Sequence, residues 1–132
     1  MSCVMRADGS AFNVDAFSDG TSLPVIAKHR AGEARRPGGV PSTRSNINVE
    51  VSNADFEHLE QQIQDAMVFL ERNASEVRRL VAFPGVEGVT LDFGLKRRDV
   101  PAQSDSFPAS LLALAGRMGV GITVSQYEIA PA

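Results

Sequence analysis

The densest chemistry in this sequence is cationic. Lys28, His29, Arg30, Arg35, Arg36 and Arg44 fall between residues 28 and 44, with only Glu33 opposing them, and Lys96-Arg97-Arg98 forms a second short run. The chain as a whole is acidic, with net charge −3 and a sequence pI near 5.3. A local basic patch on such a background can receive a carboxylate, a phosphate or an acidic partner surface, because guanidinium forks match those oxygens in geometry as well as charge. The alternative is a solvated loop. Two carboxylates stand out as well. Glu50 and Asp92 both project from the polar side of strand-like segments. If those strands are neighbours, the pair could split its pKa values and serve acid–base or metal chemistry. Otherwise the two are solvated charges balanced by Lys or Arg on the next strand. Tyr127 shares the polar side of the last strand-like segment. Arg30, Arg35, Arg36 and Arg44 are therefore the candidate anion contacts, with Glu50, Asp92 and Tyr127 adding specificity. No catalytic residue is assigned.

Several short matches carry nothing. Asp92-Phe93-Gly94 spells the magnesium-binding tripeptide of protein kinases, but 132 residues are too few for a kinase and no His-Arg-Asp is present. Gly116, Gly119 and Gly121 follow a helix pattern and precede a strand pattern, the reverse of a dinucleotide fingerprint. Two histidines and one cysteine cannot build a zinc site alone, so no metal and no cofactor is expected. His58 falls at the edge of a helical apolar stripe, and Cys3 in a predicted core strand reads as an inert buried thiol. Asn73-Ala74-Ser75 matches a glycosylation acceptor without a signal peptide to make it meaningful. Nucleic acid is not an expected partner, since the chain is acidic, has no Trp, and places its Phe residues mostly on core positions. No apolar run approaches the ~20 residues of a membrane span. With one cysteine and no leader, a cytoplasmic protein is expected.

The elements that must position these residues follow from periodicity. At 43% hydrophobic and 22% charged, the chain reads as one globular domain over 1–132. Ser2–Arg6 suits a strand closed by a turn at Asp8-Gly9, and Asn13 can cap a short helix through Phe17. Leu23–Arg30 is extended, and Gly32 to Ser42, with Pro37-Gly38-Gly39 and Pro41, is a long loop. Asn46–Val51 alternates strictly between apolar and polar residues. A long helix follows, capped by Ser52 or Asn53, with Asp55 and Glu57 in its first turn. Its apolar stripe runs through Phe56, Leu59, Ile63, Ala66, Met67 and Leu70. Asn73 to Glu76 has capping-box spacing ahead of a shorter helix. Val89–Leu95 alternates again, Ser106 can cap a last helix through Met118, and Val120–Tyr127 closes as a strand with Val120, Ile122 and Val124 inward.

The resulting order is β-α-β-β-α-α-β-α-β. It predicts an α+β two-layer sandwich: a largely antiparallel sheet with helices on one face, a ferredoxin-like β-α-β-β-α-α-β core and a C-terminal α-β unit. Cys3-Val4-Met5, the segment Phe12 to Phe17, Leu23-Pro24, Arg30-Ala31-Gly32-Glu33, the helix after Val51 and the Leu111-Leu112 helix with its Ile122–Tyr127 strand together resemble a known group. It comprises small bacterial domain-of-unknown-function proteins in which a Lys/Arg-x-Gly-Glu turn follows the second strand. The resemblance implies a compact α+β fold without an established enzyme activity, and some relatives resemble immunity proteins that cover a toxin surface. The loop after Gly32-Glu33 departs from that pattern, lacking Trp and being rich in Arg, Pro and Gly. The expected function is non-enzymatic binding, through the polar sheet face and basic loop, of an acidic protein surface or of a second copy as a homodimer. The alternative is a small-molecule or anion sensor, or an enzyme using Glu50 or Asp92 as base.

Overall fold

The computed structural model describes residues 1–128. In chain order its elements are β1 (Cys3–Gly9), α1 (Val14–Ser18), β2 (Val25–His29), β3 (Ser45–Ser52), α2 (Leu59–Arg72), α3 (Ala74–Val81), β4 (Gly88–Lys96), α4 (Ala109–Arg117) and β5 (Gly121–Tyr127). β1 is central, pairing antiparallel with β3 on one side and with β4 on the other. β2 pairs antiparallel with β3, and β5 parallel with β4, giving the order β2-β3-β1-β4-β5. β1 and β2 therefore run parallel with β3 between them, and β3 and β4 run parallel with β1 between them. Two split β-α-β units interleave in this way, and β4-α4-β5 adds an unsplit one at the edge. The fold is α+β, with a mixed but largely antiparallel sheet.

Strand alternation sorts the two faces. Cys3, Met5 and Ala7 of β1, Ile47 and Val49 of β3, and Val89, Leu91, Phe93 and Leu95 of β4 are buried on one side. There they meet Phe17 of α1, Ile63, Ala66 and Leu70 of α2, Val77 and Leu80 of α3, and Leu111 and Ala115 of α4. Each Leu or Ile so buried contributes about 1.5–3 kcal/mol. α1 is held at its start by Asn13, whose Oδ1 accepts the Ala16 N–H at 3.0 Å. Its ring Phe17 packs edge-on to Phe83 and lies under the Arg79 guanidinium, 4.2 Å from the ring centroid.

Several boundaries differ from the sequence reading. β1 runs on through Asp8 and Gly9 rather than turning there, because both pair with β3 and Asp8 also pairs with Gly88. α2 begins only at Leu59: Ser52 Oγ accepts the Ala54 N–H at 3.1 Å, and the Lys96 N–H donates to the Phe56 carbonyl at 3.1 Å. Those bonds keep the chain beside β4, so Asp55 and Glu57 precede the helix. Phe56 leaves the apolar stripe for the opposite sheet face, where its ring meets Tyr127 edge-on at 5.5 Å. His58 is the exposed residue at the N-cap, not a stripe-edge residue. Asn73 makes no cap bond to α3; its Nδ2 donates to the Phe69 carbonyl at the end of α2. α4 starts after Pro108 rather than Ser106. Val124 is 43% exposed instead of inward, since β5 is an edge strand that α4 covers incompletely.

Candidate functional site

The face of the sheet away from the helices is polar, and its register brings the side chains together in rows. Asn46, Asp8 and Gly88 stand abreast on β3, β1 and β4; Asn48, Arg6 and Thr90 form the next row; Glu50, Val4 and Asp92 form the third. His29 of β2 joins the first row opposite Asn46. The first two rows and Arg35 line a concavity of about 300 Å³.

Arg35 reaches this hollow because the loop between β2 and β3 folds back as an ordered hairpin. Gly32 and Ser42 are bonded across its base at 2.7 Å, Ser42 donates to the Glu33 carbonyl at 3.0 Å, and Ala34 bridges to Pro41. At the tip the Gly39 N–H donates to the Arg36 carbonyl at 3.0 Å. Pro37 and Gly38 are the central residues of that turn, and Gly38 has φ +73°, the pattern that favours Pro then Gly.

The hollow is rich in donors. Its carboxylate Asp8 is already held by Arg44, at 3.1 Å from Nε, and Arg44 also lies 3.4 Å from Glu87. Glu87 further accepts the Ser10 N–H at 2.6 Å. That backbone bond, aided by Arg44, lowers the Glu87 pKa, and the Asp8 bond raises that of Arg44. Asp92, only 8% exposed, accepts from Ser125 Oγ at 2.7 Å and is ion-paired with Arg6, whose Nη2 lies 3.2 Å away. Arg35 and His29 have no ion pair among the described residues. Arg6, ion-paired with Asp92, lines the hollow beside Asn46 and Asn48.

The sequence-derived candidates are distributed over this face unevenly. Arg35 lines the hollow and Arg44 clamps its end. Arg36 sits on the turn, its stem over Gly39. Arg30 lies on the other side of the sheet: its Nε and Nη2 grip both oxygens of Asp15 in α1 at 2.7 Å each, with Lys28 at 3.1 Å. These bonds hold the Asp15 carboxyl well below the usual carboxylate range. Glu50 and Asp92 are not neighbours, since both pair with Val4 from opposite sides of β1. Two strand spacings separate their backbones by roughly 10 Å, too far for a shared proton. Glu50 bonds Asn53 instead. Tyr127 packs on Phe56 at the far end of the face, over Gly94.

Arg6, Asp8 and Thr90 did not enter the sequence-derived set. Alternation was the available signal: Arg6 and Asp8 fall between the buried Met5, Ala7 and Gly9 of β1. The same alternation separates His29 from Lys28 and Arg30. Cys3 is fully buried against the helices, where desolvation first, and the Asp92 and Asp65 carboxylates second, push its thiol far up. Among the described residues no three His, Cys, Asp or Glu side chains gather as a metal site, and no helix is long and apolar enough to cross a membrane. Compared with models of known protein families, with curated proteins and with solved structures, the chain finds no match.

Proposed function

We propose that this chain is a cytoplasmic, non-enzymatic binding protein that receives the carboxylates of an acidic protein surface in the hollow of its polar sheet face. The observation that carries the reading is the imbalance of donors there. Asp8 and Asp92 are already engaged by Arg44 and Arg6, while Arg35, His29 and the Asn46 and Asn48 amides face the hollow. Desolvated guanidinium–carboxylate pairs give orientation as well as attraction, and the ordered hairpin limits the entropy lost when Arg35 docks. On this reading the interleaved four-strand core is a ferredoxin-like scaffold for one recognition face. The resemblance to small bacterial proteins of immunity type becomes a proposal of the same kind, a protein that acts by covering an acidic surface of its target. A standard interface needs about 800 Å² per partner, within the size of one such face.

The test is capture from native extract with paired variants. Arg35→Glu/Arg36→Glu should lose the partner, weakening binding by about 2 kcal/mol or more, roughly 30-fold. Arg72→Glu/Arg78→Glu changes the net charge equally on the helix side and should retain it. Equal capture by both variants would remove the hairpin from the interface.

The concave shape of the hollow also favours a second reading, a site for a small anion such as a dicarboxylate. Addition of succinate, citrate or phosphate would then stabilise the chain by about 2.7 kcal/mol at a hundredfold excess over Kd. An unchanged melting temperature across that panel rejects this reading.

A further inference from the structure

The opposite edge of the sheet poses a separate question. β5 carries no charged residue, no proline and no register shift over Gly121–Tyr127. Exposed edge strands ordinarily use such features to prevent pairing with another chain. Beside it, α4 reads Ala-Ser-Leu-Leu-Ala-Leu-Ala-Gly-Arg, apolar almost all round, a composition expected of a helix covered on both faces. Leu111 and Ala115 are buried, yet Leu112 is 48% exposed and Ala113 and Gly116 are open. Ser110 Oγ lies 4.0 Å from Met67 Sδ, which marks the side of α4 facing α2. Leu112, two residues on and about 200° round the helix, flanks the other side, toward the β5 edge. Val124, opposite the buried Phe93, is exposed on the same helix face of β5.

We propose that β5 and α4 form a two-fold homodimer interface in which β5 pairs antiparallel with β5 of a second copy. Backbone parity allows an axis at any residue of the strand, and full overlap of Gly121–Tyr127 with its copy selects one register. The Tyr127 carbonyl accepts the Arg97 N–H at 2.8 Å, so the backbone groups of Thr123, Ser125 and Tyr127 face β4. Those of Ile122, Val124 and Gln126 face outward. A two-fold axis at Val124 sets Val124 against its copy and Ile122 against the copy's Gln126, each pair exchanging two backbone hydrogen bonds. Thr123 then meets Ser125, a favourable hydroxyl pair, and Gly121 meets Tyr127, where the missing side chain leaves room for the ring.

The same axis keeps helix face next to helix face, so the two α4 helices lie side by side with their Leu112 flanks toward each other. Glu128 of one copy approaches the end of the sheet that carries Arg117 of the other. Neither has an ion pair among the described residues. This neutral, self-complementary edge suits a second copy better than a charged partner. The polar hollow lies toward the β2 side, so a dimer leaves both hollows open at its far ends.

Sedimentation equilibrium of the full chain tests the proposal. The wild type should have twice the 14.1 kDa chain mass. Val124→Lys places two ammonium groups opposite each other and should be a monomer with an unchanged far-ultraviolet circular dichroism spectrum. In a Cys3→Ser background, Val124→Cys should oxidise to a covalent dimer, because a hydrogen-bonded antiparallel pair has a Cα separation of about 5.5 Å, within disulfide range. Val68→Cys, equally exposed on α2, should not. A monomeric wild type, or a dimer that Val124→Lys leaves intact, overturns the proposal. Should Val124→Lys fail to fold, the cross-link decides alone, and its absence overturns the proposal.

Discussion

Arg30 and Arg35 stand five residues apart in one basic stretch, yet the alternation of β2 and the fold-back of the hairpin give them different work. Arg30 forks onto Asp15 and ties α1 to the strand, whereas Arg35 faces the hollow. Asp15→Asn is therefore expected to lower thermal stability at neutral pH without affecting partner capture. The lowered folded pKa of Asp15 gives the sign of its pH dependence. Its contribution is fully present above the ordinary carboxylate value of 3.8 and is lost as pH falls through the lower folded value. Wild type should thus lose more stability than Asp15→Asn on acidification below about pH 4, measured as melting temperature at low salt. Both side chains are solvent-exposed, so high salt should shrink the difference between wild type and variant. Cys3 gives a second expectation at this scale. Buried, with its pKa pushed up, the thiol should be silent to a disulfide reagent at neutral pH in the native protein and react at once in denaturant.

Among the elements, Gly94 on β4 is the most exacting position. A Cβ there would stand 2.6 Å from the Phe56 ring and 2.9 Å from the Ser2 carbonyl. Phe56 can swing away, but the Ser2 carbonyl accepts the Gly94 N–H at 2.7 Å and cannot move without breaking the ladder. Gly94→Ala should destabilise the chain by about 1–3 kcal/mol, read by urea denaturation, and should disturb the Tyr127 ring resonance.

This neighbourhood also marks the limit of the sequence. Element order and type were legible because alternation in Asn46–Val51 and Val89–Leu95 and the three-to-four spacing in α2 are local signals. Phe56 was misassigned because its position depends on a backbone bond to Lys96, forty residues away, which overrides an otherwise good helical pattern. Asn73 likewise satisfies the helix it follows rather than the one it precedes. The site was legible only in part. Strand identity announced its polar face, but the order β3-β1-β4 is non-local. It alone decides that Arg6 joins Asn48 and Thr90, and that Val4 keeps Glu50 from Asp92.

In the whole molecule the two proposed interactions fall on different edges of the sheet. The β2–β3 side and its hairpin present donors for recognition, while the β5–α4 side presents a neutral, apolar edge for a second copy. The two predictions separate cleanly: Val124→Lys should abolish dimerisation and leave acidic-surface binding per chain unchanged, and Arg35→Glu should do the reverse. The most direct measurement of the central claim is a titration of isotope-labelled protein with a short polyglutamate peptide, followed by amide and side-chain resonances. Saturable shifts are expected, confined to His29, Arg35, Asn46, Asn48 and Arg6, reduced by added salt and absent in Arg35→Glu. Shifts centred instead on Lys96 to Arg98, or none at all at millimolar peptide, would contradict that claim.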